Sequence, residues 1–425
     1  MHILFLTDRF PPESDAASSR VYERACYWVK WGYAVTVITC APNHPEGKVF
    51  PGYRNHWYQS ENIDGIQVIR VKTYIAPNEG FVKRTFDFLS FMISAFAAGL
   101  FQKKVDVVIA SSPQLFAAVG GWALAAVRRL PFVLELADLW PATISAVGAM
   151  RESALLSMLE RLELFLYRRS SAVIALTPAF QHDLVRRGIP QEKIFVVVNG
   201  VDLSRYAPRE KDKDLVRVWG LQDKFVVGYV GTHGIAHALE NVLEACERLK
   251  SASDICFVFI GTGAAKEDLV RRAKKKQLSN IVFIPPQPKE TIARFWSLCD
   301  VALVHLKNVP IFKTVIPSKI FEAMGMGLPI LFAGPKGEAS EIIERENAGI
   351  CVSAENAEQL ANVALRLCYG DAERQALARN SAQAASRYTR ERQAMDSLTV
   401  LQLALTKRPT AFADTHRRQG GWPRS

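Results

Sequence analysis

Short apolar runs alternate with helix-sized amphipathic stretches along almost the whole chain. In the first half the runs are Ile3–Thr7, Ala34–Thr39, Gln67–Val71, Val107–Ala110, Phe132–Leu136, Ala172–Leu176 and Phe195–Val198. Most spacers between them are long enough for one helix, as in the amphipathic stretch from Arg20 to Trp31. Continuous apolar strands joined by helices predict a parallel sheet covered on both faces. The second half repeats the plan with Phe225–Val230, Cys256–Ile260, Ile281–Ile284, Val301–His305, Pro329–Phe332 and Ile350–Val352. No fixed short period runs through either half, so the doubling is of architecture and not of a solenoid repeat. The pattern predicts an α/β protein of two Rossmann-like, doubly wound domains.

The first domain is expected over 1–202. A linker follows, made of Leu203-Ser204-Arg205-Tyr206-Ala207-Pro208 and the charged run Arg209-Glu210-Lys211-Asp212-Lys213-Asp214, and the second domain is counted as 203–385. The alanine-rich helical pattern from Ala372 to Leu405 is long enough for 386–405 to return to the first domain. Residues 406–425 mix Pro, Gly, Arg and Thr and read as a disordered basic tail. A chain of 425 residues suits two domains.

Charge and cysteines narrow the setting. Of the formal net charge of +11, a share of +4 falls in 406–425, where five basic residues meet one acidic. The excess is therefore not one continuous nucleic-acid face, and it suits diphosphates or anionic headgroups. Seven scattered cysteines without a Cys-x-x-Cys pair read as reduced, hence cytoplasmic. The uncharged run Phe88–Phe101 is short for a membrane span. It reads as a core-facing helix whose outer side touches a membrane surface.

Chemistry concentrates in the second half. In Pro317-Ser318-Lys319-Ile320-Phe321-Glu322 a proline opens a helix, and a lysine and a glutamate follow on one helical face. A helix start with an ammonium suits a diphosphate, and a carboxylate one turn on suits two ribose hydroxyls. The alternative is a surface helix with an i,i+3 ion pair. Gly231-Thr232-His233-Gly234 is a glycine turn between strand and helix, where backbone N–H groups can approach a phosphate. His237 stands at the start of the next helix, and Gly261-Thr262-Gly263 repeats the turn after the following strand. Glu338 sits at another strand-to-helix turn, and Asp138 follows the strand Phe132–Leu136 in Asp138-Leu139-Trp140-Pro141. Strand ends of this kind gather ligands. No metal site is expected: Asp212-Lys213-Asp214 lies in the charged linker, and His233 and His237 lack a third ligand.

Taken in this order, the strand, the two glycine turns and the Lys-x-x-Glu helix resemble retaining family 4 glycosyltransferases of the GT-B fold. The likeness covers roughly residues 1–400. It is nearest to bacterial O-antigen, colanic-acid and N-acetylfucosamine transferases. The resemblance implies a nucleotide-sugar donor, UDP-sugar favoured, on the second domain. It binds at Gly231, Thr232, His233, Gly234, His237, Lys319, Glu322 and Glu338. It implies a polyprenyl-diphosphate-linked saccharide acceptor on the first domain, bound at Asp15, Ser18, Arg20 and Asp138. Lys319, Glu322 and Asp138 are the catalytic candidates, without metal or cofactor. The implied work is polysaccharide and lipopolysaccharide biosynthesis by a hexosyltransferase, peripheral on the cytoplasmic face of the inner membrane. The chain departs from the family at Thr314, where a second glutamate is usual, and at Thr232 and His237, where an arginine and a lysine are usual. Two other readings stay open: a non-transferring sugar-nucleotide epimerase, and a catalytically reduced partner subunit.

Overall fold

A computed structural model describes residues 1–44, 46–75, 81–112, 114–139 and 154–406. The strands are β1 His2–Leu6, β2 Ala34–Cys40, β3 Tyr58–Ile63, β4 Ile66–Val71, β5 Val107–Ser111, β6 Phe132–Leu136, β7 Ala172–Ala175 and β8 Ile194–Val196 in the first half. The second half has β9 Phe225–Val230, β10 Ile255–Ile260, β11 Ile281–Ile284, β12 Val301–His305, β13 Ile330–Gly334 and β14 Gly349–Ser353. Helices before the linker are α1 Ala16–Lys30, α2 Phe81–Leu100, α3 Leu115–Arg128, α4 Ala154–Arg169 and α5 Pro178–Arg186. Beyond it lie α6 Lys213–Val218, α7 Leu239–Arg248, α8 Lys266–Lys275, α9 Ile292–Trp296, α10 Ser318–Gly325, α11 Glu338–Arg345, α12 Ala357–Tyr369, α13 Asp371–Ala385 and α14 Arg390–Thr406.

The strands form two sheets, ordered β3-β4-β2-β1-β5-β6-β7-β8 and β11-β10-β9-β12-β13-β14. Pairing is parallel except between β3 and β4. Each apolar strand divides its side chains between two cores because alternate residues point to opposite faces. Ile3 and Phe5 join one core of the first sheet, Leu4 and Leu6 the other. In the second sheet Val227 and Tyr229 face one way, Val226 and Val230 the other.

Every strand expected from the sequence is present, and among the described residues β3 is the one missed. Its sequence, Tyr58-Gln59-Ser60-Glu61-Asn62-Ile63, is polar because an antiparallel edge strand need not be buried on both faces. Asp64-Gly65 was a legible signal for its hairpin: both residues have positive φ, 49° and 82°, as a two-residue turn between strands requires. The long pattern to Leu405 is not one helix. It breaks between α13 and α14, where Val201 donates to Tyr388 O (2.9 Å) and Arg390 donates to Val201 O (2.9 Å). Both chain crossings between the sheets thus run bonded side by side. Beyond them α14 packs on α1, with the Trp28 indole donating to Ala394 O at 2.9 Å.

In each sheet the chain reverses direction of build beside its first strand, between β1 and β5 and between β9 and β12. The crevices at the C-terminal ends of those strands are where such sheets take ligands. Residues 8–15 and 111–112 line one crevice; 231–237 and 305 line the other.

Candidate active site

The second crevice is built from glycines that let two turns nest. Gly231, at φ +131°, ends β9, and a Cβ there would come within 3.2 Å of Lys319 Nζ. Gly263, at φ +154°, ends the turn after β10, and a Cβ there would run within 2.5 Å of His233 O. Both positions need glycine for backbone angle, and Gly263 needs it for space as well, since the atoms it would meet are backbone. The turns are stitched by His233 N–H to Thr262 O and Ala265 N–H to His233 O, both 2.9 Å.

Inside this rim Lys319, on the first turn of α10, is 7% exposed. Its ammonium lies 3.7 Å above the Tyr229 ring and has no hydrogen-bond partner among the described residues. The surface ion pair with Glu322 is therefore not what this helix makes. Burial pushes the Lys319 ammonium down to about 7, against the opposing pull of Glu322. Glu322 is half-buried one turn on. Burial raises its carboxyl, while Lys289 and Lys319 draw it down. Such a lysine holds a charge that the protein itself does not neutralise.

His233 is fully buried, and both ring nitrogens lack hydrogen-bond partners among the described residues. Burial, then Lys266 and Lys319, depress it to about 4, so it is neutral at physiological pH. His237 and His305 clasp one another: each Nδ1 meets the other's backbone carbonyl, at 3.2 and 2.7 Å. Burial and Lys319 depress His237 to about 3, which makes it a fixed neutral ring and not a cation. Thr232 is exposed, and its carbonyl accepts from the Tyr229 hydroxyl at 2.7 Å. Lys266, not singled out by the sequence, opens α8 and donates to Gly261 O at 2.7 Å. A cation at a helix start opposes the helix dipole, so this lysine is a poor choice for helix stability alone. Its signal was its place just after the second glycine turn.

The other expected residues fall elsewhere. Glu338 accepts the Ala179 N–H at the start of α5, across the domain boundary, and beside it Thr177 Oγ1 donates to Thr314 O at 2.8 Å. The position lacking the usual glutamate thus lies in an interdomain contact. In the first crevice Asp15 caps α1, accepting from Ala17 N–H (2.9 Å) and Ser18 N–H (3.0 Å). Its second oxygen faces Arg9 (3.5 Å) and His44 (3.6 Å). Ser18 is buried and donates to Glu13 O at 2.6 Å. Arg20 is buried too, 3.0 Å from Glu135, which also holds Arg24. Asp138 is half-buried just past the end of β6, where Ser112 Oγ donates to its carbonyl at 3.3 Å. Trp140 and Pro141 of the same motif lie outside the described residues, as do 407–425. Asp87 of α2 joins this crevice; burial, then Asp8, push its carboxyl up to about 7.

Between the crevices sits one more cluster that the sequence did not reveal. Glu23 of α1 holds Arg205 at 2.7 Å, Arg390 at 2.8 Å and Lys289. These cations come from the linker, α14 and the loop after β11, far apart in the chain. They hold Glu23 at about 2, well below the usual range, despite its burial. A glutamate on a helix carries no mark of this role; only Glu135, a charge inside an apolar strand, stood out in principle.

Comparison with known proteins agrees with this two-part layout. Residues 17–205 match the sequence model of Glycosyltransferase Family 4, and residues 212–384 match that of Glycosyl transferases group 1. WcaI of Escherichia coli, provisionally named a colanic acid biosynthesis glycosyl transferase, is 26% identical over 373 residues, 85% of this chain and 90% of that protein. The solved structure of sucrose-phosphate synthase from Thermosynechococcus elongatus superposes with a TM-score of 0.77 at 17% identity, over 95% of this chain and 99% of that one. HepE of Anabaena, solved with UDP-glucose, gives 0.67 at 18% identity, over 96% and 98%. With its halves matched in order, the chain belongs to the glycosyltransferases of the GT-B fold, a Glycosyltransferase Family 4 domain followed by a Glycosyl transferases group 1 domain.

Proposed function

We propose that this protein moves a sugar from a UDP-sugar to a hydroxyl of a polyprenyl-diphosphate-linked saccharide during surface-polysaccharide assembly. Transfer retains the anomeric configuration and needs no metal. The observation that carries the reading is Lys319, a buried ammonium without a partner at the rim of two glycine turns. The names of relatives support the setting: WcaI is linked to colanic acid, and HepE binds UDP-glucose.

Loss of the nucleoside diphosphate leaves negative charge on its β-phosphate, and stabilising that charge is the main chemical task. Lys319 lies where it can accept that charge, and the turn amides of Gly231–Gly234 and Lys266 flank it. The arriving anion favours the protonated lysine, so binding raises its pKa from about 7. Glu322 accepts the ribose hydroxyls. His233 and His237, both neutral, add no charge and shape the pocket beside the phosphates. Asp138 orients the acceptor hydroxyl from the first crevice, and the leaving phosphate takes its proton. Asp15 and Glu338 contribute through the crevice walls, as a helix cap and an interdomain clasp; Ser18 and Arg20 brace the acceptor side from beneath.

The deciding experiment incubates the protein with a panel of UDP-sugars, with and without a polyprenyl-diphosphate-linked saccharide, after treatment with a chelator. Release of UDP that requires the acceptor supports transfer. Release or altered nucleotide sugar without acceptor points to the epimerase. Binding without turnover under all conditions points to the partner subunit. Turnover that returns only with a divalent ion overturns the metal-free mechanism.

A further inference from the structure

On α2, Phe86, Ile93, Ala97 and Leu100 recur at seven, four and three positions, so they share one stripe of the helix. The stripe faces outward. Phe86 is 59% exposed, Ile93 63%, and Phe101, just past the helix, 79%. The opposite side of the same helix is finished: Phe91, Ala95 and Ala98 are buried in the core. Exposure is therefore not the result of a helix lacking a core to enter. Tyr74 extends the stripe, its ring 6.3 Å from that of Phe86. Contiguous apolar ridges of this size are uncommon on soluble monomers and mark contact surfaces.

The charges at its two ends are mostly basic; the exposed carboxylate beyond Lys104, Asp106, accepts the His2 N–H at 2.7 Å and lies 4.0 Å from the Met1 ammonium. Lys83 is exposed in the first turn of α2, and Lys103 and Lys104 are exposed just beyond its end. Arg128 of α3 reaches that end, donating to Gly99 O at 3.0 Å. Asp87 is the one carboxylate on α2, and its neighbours are Asp8 and Arg9 of the first crevice, on the inner side of the helix. Among the described residues no helix is long and apolar enough to cross a membrane. The combination is that of a helix lying in an interface plane, apolar residues down and lysines at the rim.

We propose that this ridge of α2 docks the protein on an anionic lipid bilayer, with the first crevice held at headgroup level. Charge complementarity selects the bilayer over a second copy, because two facing ridges would bring Lys83, Lys103 and Lys104 of both chains together. The proposal deepens the reading of a lipid-linked acceptor, since α2 separates the ridge from the crevice residues Asp8, Arg9 and Asp87.

Sedimentation with vesicles tests it, using the full chain. One set is phosphatidylcholine, the other phosphatidylcholine mixed with phosphatidylglycerol. The wild type is expected to bind the mixed vesicles about tenfold more tightly than the neutral ones. Ile93→Ser with Phe101→Ser should cut that binding about tenfold, and so should Lys103→Glu with Lys104→Glu. Far-UV circular dichroism and UDP affinity should stay at wild-type values in both variants. Wild-type vesicle binding in either double variant overturns the proposal, as does equal binding to neutral vesicles. A dimer in sedimentation velocity that Ile93→Ser with Phe101→Ser dissociates also overturns it, in favour of self-association. Vesicle binding that obeys these expectations, in a protein that never uses a lipid-linked acceptor, leaves the docking surface standing and removes the proposed acceptor.

Discussion

Two buried charged regions of this molecule are built on opposite principles. At the domain junction one carboxylate, Glu23, takes three cations, each within bonding reach. At the glycine rim one ammonium, Lys319, is as deeply buried and has no carboxylate or hydrogen-bond acceptor within reach among the described residues. Leaving a buried polar group unsatisfied costs free energy, and a fold tolerates that chiefly where something else is to supply the partner. The junction is complete as it stands and belongs to structure. The rim is completed by an anion and belongs to function.

Breaking the junction should have the largest effect. Glu23→Gln removes the charge that Arg205, Lys289 and Arg390 share, and stability should fall by about 3–5 kcal/mol, as when one member of a buried pair is lost. Denaturant titration reads this; a change under about 1 kcal/mol would mean that solvent, and not Glu23, holds those cations.

The rim should respond in the reverse sense. Lys319→Met removes an uncompensated charge, so the unliganded protein should melt at a higher temperature. Its affinity for UDP should drop by about 1.5–3 kcal/mol, as for a charged hydrogen bond. Calorimetry and thermal melts together check this, and a variant that loses stability would erase the contrast with Glu23.

Glu322→Gln sharpens the picture of the rim. Binding of UDP should weaken by about 1–3 kcal/mol. The 2′-deoxy nucleotide should lose affinity for the wild type but little more for the variant, because both changes remove one contact. Additive losses would separate Glu322 from the ribose.

The last effect is in pH. Lys319 is charged below about pH 7 in the unliganded fold and, with an unfolded value of 10.5, stays charged to higher pH when unfolded. The unfolded chain then binds the extra proton between those values, so this lysine lets stability rise with pH across that window. UDP affinity should run the other way, full below pH 7 and falling above it as the ammonium deprotonates. Lys319→Arg should flatten the affinity profile, since arginine stays charged. A wild-type profile that is flat from pH 7 to 9 would refute the shift.

The same contrast explains what could be read from the sequence. The two sheets were legible because buried parallel strands must be apolar throughout, and Val226–Val230 or Ile3–Leu6 leave no other use. The rim was legible because glycine turns and Lys319-x-x-Glu322 are local in the chain. Glu23 was not, since its partners Arg205, Lys289 and Arg390 meet only after folding, and a single glutamate on an amphipathic helix looks solvated. β3 escaped for a related reason: an edge strand is polar, and only Asp64-Gly65 betrayed it. Arg20 and Ser18 lie in the first two turns of α1, and burial turns both inward, toward Glu135 and Glu13 O.

The paired crossings of the chain have a mechanical consequence. Val201 is hydrogen-bonded to the backbone on either side of Thr389, and a Cβ on Gly200 would lie 2.5 Å from Thr389 O. Two ribbons fastened at one spot make a tape hinge, which swings readily and slides poorly. Relative travel of the two lips is then small at this seam and grows with distance from it. One methyl group at Gly200 would push the two ribbons apart at this seam, because the atoms it meets are backbone atoms of Thr389 and Arg390. In Gly200→Ala, spin labels across the cleft should report a shifted or narrowed distance distribution, while labels within either half keep theirs.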